Sequence, residues 1–475
     1  MATKEVKDFV VAIEFGSSKV TGIAGKKNSD GSITVLAYAR EDSSSFIKRG
    51  LVYNIDKTAQ CLINIKLKLE KSLKAIIGKA YIGIGGQSLH TVFHSVNLPL
   101  EPGSVISKET VDELKKANRD FTYDNQELLQ VVPQEYKVGT NSQIDPVGVV
   151  CDSIEGRYVN IIARYSLRQN LEKSLALAGI QVADYIVAPL ALGECVLSDV
   201  EKRSGCALID LGAQTTTVSI YKNNILRHLS VIPLGGYNIT KDISAQQIEE
   251  EDAEELKLKY GCAYTEKEDN ADNDDDKTFP VTDERNIEAK LLNDIVESRV
   301  EEIIANVSEQ VRQSKYADDL LAGFILTGGG SNLKNIELAF KKRTNVEKIR
   351  TAKFVIPTID AKNPDIRSRD GSLNTTLSLM IIGKDNCFES VLETDSLFGP
   401  NGESYQERQQ ELLRQKEAEE AKQRELQEKE RQEQEAELER QKQAEEDRER
   451  RENSWWNKLK KNVTKFGTTI FSDED

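Results

Sequence analysis

Two short segments place a carboxylate, a glycine and hydroxyl side chains close together, a composition suited to binding phosphate and Mg²⁺. The first reads Glu14-Phe-Gly16-Ser17-Ser18-Lys19, and the second reads Asp210-Leu-Gly212-Ala-Gln214-Thr215-Thr216. In each, the backbone N–H groups and hydroxyls of a tight turn can hold a phosphate, while the carboxylate can hold Mg²⁺ through water. Either segment alone is also typical of an ordinary hairpin turn. Their recurrence about 196 residues apart predicts two similar lobes that face each other.

A third segment adds a run of glycines after an apolar strand. It reads Phe324-Ile-Leu-Thr327-Gly328-Gly329-Gly330 and leads into a predicted helix. Glycines let the backbone approach a ligand closely, and a helix start offers free N–H groups to an anion. Together with the two turns, this segment predicts a nucleotide bound between the lobes.

The elements that would position these segments follow an α/β pattern over residues 1–390, with short β-branched runs alternating with longer helical patterns. Two antiparallel meanders and one long helix are predicted, with strands at Phe9–Ile13, Lys19–Gly25, Ile33–Arg40, Ala80–Gly85, Cys206–Asp210, Thr217–Tyr221 and Asn224–Pro233, and the helix over 56–76. Ser244-x-x-Gln247 predicts a capping box at the start of another helix.

Charge and composition exclude several classes of protein. The formal net charge is −15, and most of it falls in Glu266–Asp276 and in 404–452, so the remaining body is nearly neutral. A nucleic-acid binder would carry a broad basic surface instead, so no nucleic-acid partner is expected. Six scattered cysteines without a Cys-x-x-Cys pair indicate reduced thiols, and three histidines do not indicate a zinc site. The longest apolar run is too short for a signal peptide or a membrane span, so a cytosolic chain is expected.

These motifs resemble the phosphate and adenosine motifs of the actin, sugar-kinase and heat-shock-chaperone superfamily. Within that superfamily the chain resembles the FtsA family of bacterial cell division. Supporting segments are Gly50–Asp56, Ile82–His90, Val131–Tyr136, Asp145–Gly148, Ala188–Ala191, Leu234–Ile243 and Ala253–Lys257. The resemblance covers roughly 8–390 and returns at the C-terminus. It departs in Glu266–Asp276 and in the charged segment 404–452.

The resemblance implies an actin-like, two-lobed, nucleotide-binding α/β fold that takes ATP and Mg²⁺. The nucleotide-binding residues that it implies are Gly16, Ser17, Ser18, Lys19, Asp210, Gly212, Gln214, Thr215, Thr216, Gly236, Glu254, Lys257, Gly328, Gly329 and Gly330. Glu14 and Asp210 would hold Mg²⁺ through water, and Glu254 and Lys257 would hold the adenosine. Glu194 is the candidate for orienting the attacking water. Whether the protein is an enzyme stays open, and turnover is expected to be slow at most.

The domain limits implied by the resemblance divide the chain into six parts. They are a first lobe (1–85, 163–191 and 377–395), a small extra domain of the FtsA type (86–162), a second lobe (192–244 and 320–376), a subdomain of the second lobe (245–319), a charged helical linker (404–452) and a membrane-targeting amphipathic helix (453–472). The linker has neither Gly nor Pro and too few leucines for sustained heptads, so it is expected to act as a spacer.

The C-terminal segment has the pattern of a helix that lies in a lipid interface. On a helical projection, six apolar side chains share an arc of about 100°, with lysines on the other side. The predicted membrane-binding residues are Trp455, Trp456, Leu459, Val463, Phe466, Ile470, Lys458, Lys461 and Lys465. A helix that folds back onto the core and a helix that fills a partner's groove are the two alternatives.

The resemblance also implies partners and a location. It implies the C-terminal tail of FtsZ as a partner, bound through the subdomain at 245–319 with Arg299 and Glu302. It further implies other division proteins, self-polymerisation and an anionic membrane surface, at the cytoplasmic face of the cell membrane where division occurs. The expected function is a membrane adaptor that tethers FtsZ filaments. A small-molecule kinase, a chaperone-like ATPase and a pilus-assembly adaptor of the same fold are the alternatives, and the C-terminal segment argues against each.

Overall fold

The structure is a computed structural model of the full chain. The chain separates into two compact units, Met1–Ser390 and Val391–Asp475. All the residues that the structure describes lie in the first unit: 8–266, 277–282, 285–354 and 358–389. The predicted linker 404–452 and amphipathic helix 453–472 lie outside the described residues. In the part that is described, no helix is long and apolar enough to cross a bilayer.

The strands and helices are numbered here in chain order. The strands are β1 (Val10–Phe15), β2 (Lys19–Lys27), β3 (Ile33–Asp42), β4 (Ile47–Lys48), β5 (Leu51–Val52), β6 (Lys79–Ile84), β7 (His90–Val105), β8 (Gln126–Val138), β9 (Asn141–Gln143), β10 (Val150–Arg164), β11 (Gln181–Val187), β12 (Cys206–Leu211), β13 (Thr216–Lys222), β14 (Ile225–Ile232), β15 (Thr278–Thr282), β16 (Arg285–Glu288), β17 (Gly323–Thr327), β18 (Ile349–Thr351) and β19 (Ile359–Asp360). The helices are α1 (Ile55–Leu73), α2 (Lys108–Arg119), α3 (Tyr165–Leu177), α4 (Ala188–Val196), α5 (Asp199–Ser204), α6 (Gly236–Ser244), α7 (Glu250–Tyr260), α8 (Ala289–Gln313), α9 (Ile336–Thr344), α10 (Pro364–Arg367) and α11 (Asn374–Ile382).

The first lobe is built on a six-stranded sheet with the order β11-β6-β1-β2-β3-β19. Strands β1, β2 and β3 form the antiparallel meander that the sequence predicts, and β6 joins β1 in parallel. Helices α1 and α11 bury their apolar faces against this sheet, and Gly22 leaves room for Ile65 of α1. The apolar side chains between the sheet and these helices form the first core. The predicted limit between 191 and 192 falls inside α4, whose Leu192 and Val196 pack in this first core.

The second lobe repeats the arrangement with β12, β13 and β14 as an antiparallel meander and β17 parallel to β12. A separate apolar core lies between this sheet and helices α6 to α9, with Val296, Val300 and Val307 of α8 facing inward. The duplicated meander places the β1–β2 turn and the β12–β13 turn at equivalent positions of the two lobes. The backbone therefore contains the two similar lobes that the sequence predicts.

The inserted segment contains β7 to β10 and α2, and it has its own small core around Tyr136, Tyr158 and Leu114. Its sheet continues that of the second lobe in the order β14-β7-β10-β8-β9. Thr91 exchanges hydrogen bonds with the backbone of Leu229, its Oγ1 donating to the carbonyl oxygen and accepting from the N–H. The segment is thus covalently part of the first lobe and hydrogen-bonded to the second.

One local prediction, the capping box at Ser244-x-x-Gln247, is wrong. Ser244 is the last residue of α6 and its hydroxyl donates to the Lys241 carbonyl oxygen, so it does not cap the next helix. Gln247 has φ of 61°, outside the helical region, and α7 begins only at Glu250. The sequence analysis also missed the strand β15, which follows the acidic run Glu266–Asp276 and pairs with β16.

Candidate nucleotide site

Two four-residue turns form opposite sides of the candidate site. In the first, the Gly16 N–H donates to the Lys19 carbonyl oxygen at 3.0 Å, and in the second the Gly212 N–H donates to the Thr215 carbonyl oxygen at 2.9 Å. Both turns close an antiparallel hairpin immediately after a buried strand. A Cβ at either glycine would lie within 2.8 Å of the same carbonyl oxygen that accepts the hydrogen bond. These turns therefore need glycine to close.

The glycine run after β17 has a different requirement at each position. Gly328 has φ of 82°, and a Cβ there would lie 2.3 Å from Asp210 Oδ1. At Gly329 a Cβ would meet no atom within 4 Å. A Cβ at Gly330 would lie 2.9 Å from Leu211 Cβ. The backbone needs glycine at Gly328 and Gly330, whereas Gly329 leaves open space on the side of the cavity.

The turns, the glycine run and helix α7 line one cavity of about 880 Å³. Most of the residues predicted to bind nucleotide or Mg²⁺ are in its wall. They are Glu14, Gly16, Ser17, Ser18, Lys19, Asp210, Gly212, Thr215, Gly236, Glu254, Lys257, Gly328, Gly329 and Gly330. A cavity of this size accommodates a cofactor-sized ligand. Residues far apart in the chain are thus brought to one place.

Two predicted residues of the second turn do not line the cavity. Thr216 is fully buried, and its Oγ1 donates to the Leu234 carbonyl oxygen at 2.9 Å. The side chain of Gln214 accepts a hydrogen bond from the backbone N–H of Arg49. Both side chains are held by protein groups, so their predicted contact with nucleotide is not supported by their position.

Glu194 is not brought into the cavity either. It lies on α4, and its carboxylate binds the Lys202 ammonium at 3.0 Å with 59% of the side chain exposed. The inward face of α4 is formed by apolar neighbours such as Cys195 and Val196. Because that face packs against the first core, the helix directs Glu194 away from the site.

The two predicted Mg²⁺ carboxylates share the base of the cavity. Burial raises the pKa of Glu14 to about 7, a shift that the nearby Asp210 increases and that the hydroxyl of Thr376, which donates to Glu14, opposes. Burial also raises the pKa of Asp210 to about 6. Two carboxylates that desolvation disfavours in the charged form are a favourable place for a cation.

The donor set fits a cation held only in part by protein. Among the described residues, no cluster of three or more His, Cys, Asp or Glu side chains could hold a metal ion directly. Mg²⁺ usually keeps several waters and is bound through one or two carboxylates together with phosphates. Glu14 and Asp210 match that mode, and Lys19 adds a cation in the first turn.

Glu254 and Lys257 form a hydrogen-bonded network at the other end of the cavity, in which Lys257 is buried and Glu254 half-exposed. The Lys257 ammonium donates to Glu254 Oε2 at 2.6 Å, to the Gly236 carbonyl oxygen at 3.0 Å and to Thr240 Oγ1 at 3.0 Å. Thr240 in turn donates to Glu254. Burial lowers the pKa of Lys257, and the Glu254 carboxylate opposes that shift. The network fixes α7 against α6 and leaves both side chains in the cavity wall.

Some wall residues were not identified from the sequence. Tyr237, Thr240, Gly371, Ser372 and Thr375 line the cavity, and the neighbouring Thr376 binds Glu14. The first two lie beside Gly236, so the glycine pair there could have pointed to them. Gly371 and Ser372 precede α11 and Thr375 lies in its first turn, and the apolar sequence of this helix gave no signal that distinguished them.

The predicted partner residues lie on the outer part of the second lobe. Arg299 of α8 donates to both carboxylate oxygens of Asp242 on α6, at 2.6 and 3.0 Å, and also to Glu302. Its guanidinium is therefore already engaged in a two-point ion pair. Glu302, which is half-exposed, also pairs with this guanidinium.

Comparison with known proteins shows the family. Residues 207–370 match the family model described as "Cell division protein FtsA", and residues 86–162 match "SHS2 domain inserted in FTSA". The chain is 32% identical over 360 residues to the cell division protein FtsA of Porphyromonas gingivalis, with 74% of each chain covered. It belongs to the FtsA family of cell division proteins. The FtsA of Bacillus subtilis is 30% identical over 338 residues, which cover 69% of this chain and 75% of that one.

A solved structure is similar in fold. The PilM-PilN type IV pilus biogenesis complex contains a chain that superimposes with a TM-score of 0.54, covering 80% of this FtsA-family chain and 98% of that one at 15% identity. At this identity the similarity bears on fold alone. The two-lobed α/β architecture of this protein is the actin-like fold with the SHS2 insert at 86–162.

Proposed function

We propose that the cavity binds ATP with Mg²⁺. The observation that carries this proposal is that both glycine turns, each with its carboxylate, and the Gly328–Gly330 run line one cavity between two similar lobes. The turn N–H groups and Lys19 would hold the phosphates, and Glu254 and Lys257 would contact the nucleoside. Glu14 and Asp210 would hold Mg²⁺ through water, and the ion would neutralise phosphate charge.

Two substitutions test this assignment by isothermal titration calorimetry with ATP and Mg²⁺. Gly329→Val fills the open space beside the glycine run, and Asp210→Ala removes a carboxylate from the cavity. Each is expected to abolish measurable binding, while Asp360→Ala on the exposed part of β19 serves as control. Circular dichroism and thermal melting establish that each variant is folded. ATP binding at wild-type affinity by both folded variants would show that the site is elsewhere.

Turnover is expected to be slow at most. Glu194, the residue predicted to orient water, lies outside the cavity wall and binds Lys202, so it is not positioned for that role. We therefore propose that nucleotide acts mainly as a structural ligand that holds the two lobes together.

At the level of the cell, we propose an adaptor that tethers FtsZ filaments to the cytoplasmic face of the cell membrane at the division site. Membership of the FtsA family and the C-terminal pattern of aromatic and lysine residues support this proposal. The adaptor would also contact copies of itself and other division proteins. The amphipathic segment would supply the membrane contact, and the charged segment before it would supply reach.

A peptide with the sequence of an FtsZ C-terminal tail tests the partner surface by fluorescence anisotropy. We expect Glu302→Lys to weaken binding at least several-fold, because Glu302 is accessible on α8, with Arg312→Glu on the same helix as control. Deleting 267–276 should leave binding intact, and this deletion spares β15. Unchanged affinity in Glu302→Lys would place the peptide on another surface.

A further inference from the structure

One residue of the second glycine turn contacts the first lobe. Gln214 lies in the Gly212–Thr215 turn, and its Oε1 accepts a hydrogen bond of 2.9 Å from the backbone N–H of Arg49. Arg49 lies in the turn between β4 and β5, whose residues Ile47 and Val52 pack in the first core. The side chain of Gln214 therefore connects the two lobes beside the cavity.

The next residue of the same turn contacts the other glycine turn. The Gly50 N–H donates to Ser17 Oγ at 2.8 Å, and Ser17 is itself buried. The consecutive amides of Arg49 and Gly50 thus donate to Gln214 of the second glycine turn and to Ser17 of the first. Both glycine turns are therefore attached to the β4–β5 turn, which fixes the distance between them.

Arg49 is held in place from its other side as well. Its φ of 53° lies in the left-handed region, which residues other than glycine occupy only where contacts favour it. Its carbonyl oxygen accepts from the Gln87 N–H at 2.9 Å, and Gly50 packs on Gly86 so closely that a Cβ would lie 2.6 Å from the Gly86 Cα. Gly86 and Gln87, at the start of the inserted segment, therefore hold the Arg49 amide in position to donate to Gln214.

We propose that Gln214 is a positioning residue that latches the two lobes together and slows the release of bound nucleotide. This rests on the proposed function, because it assumes that nucleotide occupies the cavity. Opening the lobes would break the Gln214–Arg49 hydrogen bond, so the contact stabilises the closed state. A single neutral hydrogen bond predicts about 2- to 10-fold faster release when it is lost.

Two measurements test the latch in the full chain. In the first, stopped-flow displacement of a fluorescent ATP analogue gives the release rate of wild type, Gln214→Ala and the control Gln60→Ala, whose hydrogen bond lies within α1. In the second, hydrogen exchange resolved at the Arg49 amide is followed without nucleotide. Gln214→Ala should release the analogue faster and exchange the Arg49 amide faster, while Gln60→Ala matches wild type in both.

The conservative variant Gln214→Glu separates the latch from a general structural role. A glutamate keeps an acceptor oxygen at the same reach, so slow exchange at Arg49 should return. Wild-type release or wild-type exchange in Gln214→Ala, or fast exchange in Gln214→Glu, would overturn the latch. If wild-type protein binds no nucleotide, the proposed function fails, and the exchange measurement without nucleotide still decides whether Gln214 protects Arg49.

Discussion

Glu14 and Asp210 reduce the folding stability of the nucleotide-free protein when they are ionised. Their pKa values are raised by burial to about 7 and about 6, so the folded state binds protons that the unfolded state has already released. Stability therefore falls as pH rises from about 3.8, the ordinary pKa of an aspartate, to about 7, the pKa of Glu14, and the full cost is present above that range. Below the unfolded pKa values both states are protonated and the effect vanishes.

Glu14→Gln isolates this effect. The amide keeps an acceptor for the Thr376 hydroxyl but cannot ionise, so the nucleotide-free variant should melt at a higher temperature than wild type at pH 8 and at a similar temperature at pH 5. Melting curves across this pH range provide the measurement. Glu309→Gln on α8 is the control, because hydrogen bonds from Arg312 lower the pKa of Glu309 to about 2 and its contribution has the opposite sign. Parallel pH profiles for wild type and Glu14→Gln would contradict the assignment.

At the scale of elements, two lysines link the same pair of helices with different consequences. Lys257 is buried and donates to Gly236 and Thr240 of α6, whereas Lys241 of α6 pairs with Glu250 of α7 at the surface. Lys257→Met should reduce the free energy of unfolding by about 1–3 kcal/mol, because it removes the three hydrogen bonds that the buried ammonium donates. Lys241→Met should cost about 0–1 kcal/mol, as exposed ion pairs do. Urea denaturation measures both, and equal losses would mean that the buried network does not hold α7.

The sequence predicted the elements better than the directions of side chains. The strands of both meanders lie within about two residues of their predicted limits, because β-branched runs bounded by turn residues depend on local sequence. Ser244 and Gln247 matched a capping pattern, yet α6 continues through Ser244 because Ile243 is buried in the second core. Long-range contacts override a local signal of this size.

The candidate site shows the same limit. The predicted glycines lie in the cavity wall together with Glu14 and Asp210, because a turn after a buried strand leaves little freedom to its backbone. Gln214 and Glu194 do not lie there, because their side chains are directed by Arg49 and Lys202. Arg49 lies 165 residues from Gln214 in the chain, and a contact of that kind has no local pattern.

At the scale of the whole molecule, the C-terminal segment should anchor the protein to anionic membranes. Burial of its large apolar side chains supplies about 1.5–3 kcal/mol for each one that is fully inserted, and each lysine adds at most about 1 kcal/mol near an anionic surface. Ordering the helix consumes part of this, so one anchor should bind reversibly and several neighbouring copies more firmly.

Co-sedimentation with liposomes tests the anchor. Trp455→Glu combined with Phe466→Glu should release the protein from the vesicles. Replacing Lys458, Lys460, Lys461 and Lys465 by Gln should weaken binding to anionic vesicles more than to neutral ones. A double Glu variant that sediments as wild type does would show that another part of the chain binds lipid.

The inserted segment covers the edge of the second lobe's sheet at β14. Ser230 of β14 pairs with His90, Thr91 binds Leu229, and Gln134 donates to the Leu226 carbonyl oxygen at 3.0 Å. Without these contacts β14 would be an open sheet edge, and unpaired N–H and C=O groups on such an edge template the pairing of other chains. We therefore expect the insert to protect the second lobe from aggregation. A truncated chain lacking 86–162 would lose a domain and would also expose the edge of β14. Aggregation of that chain would therefore not by itself show what the domain does.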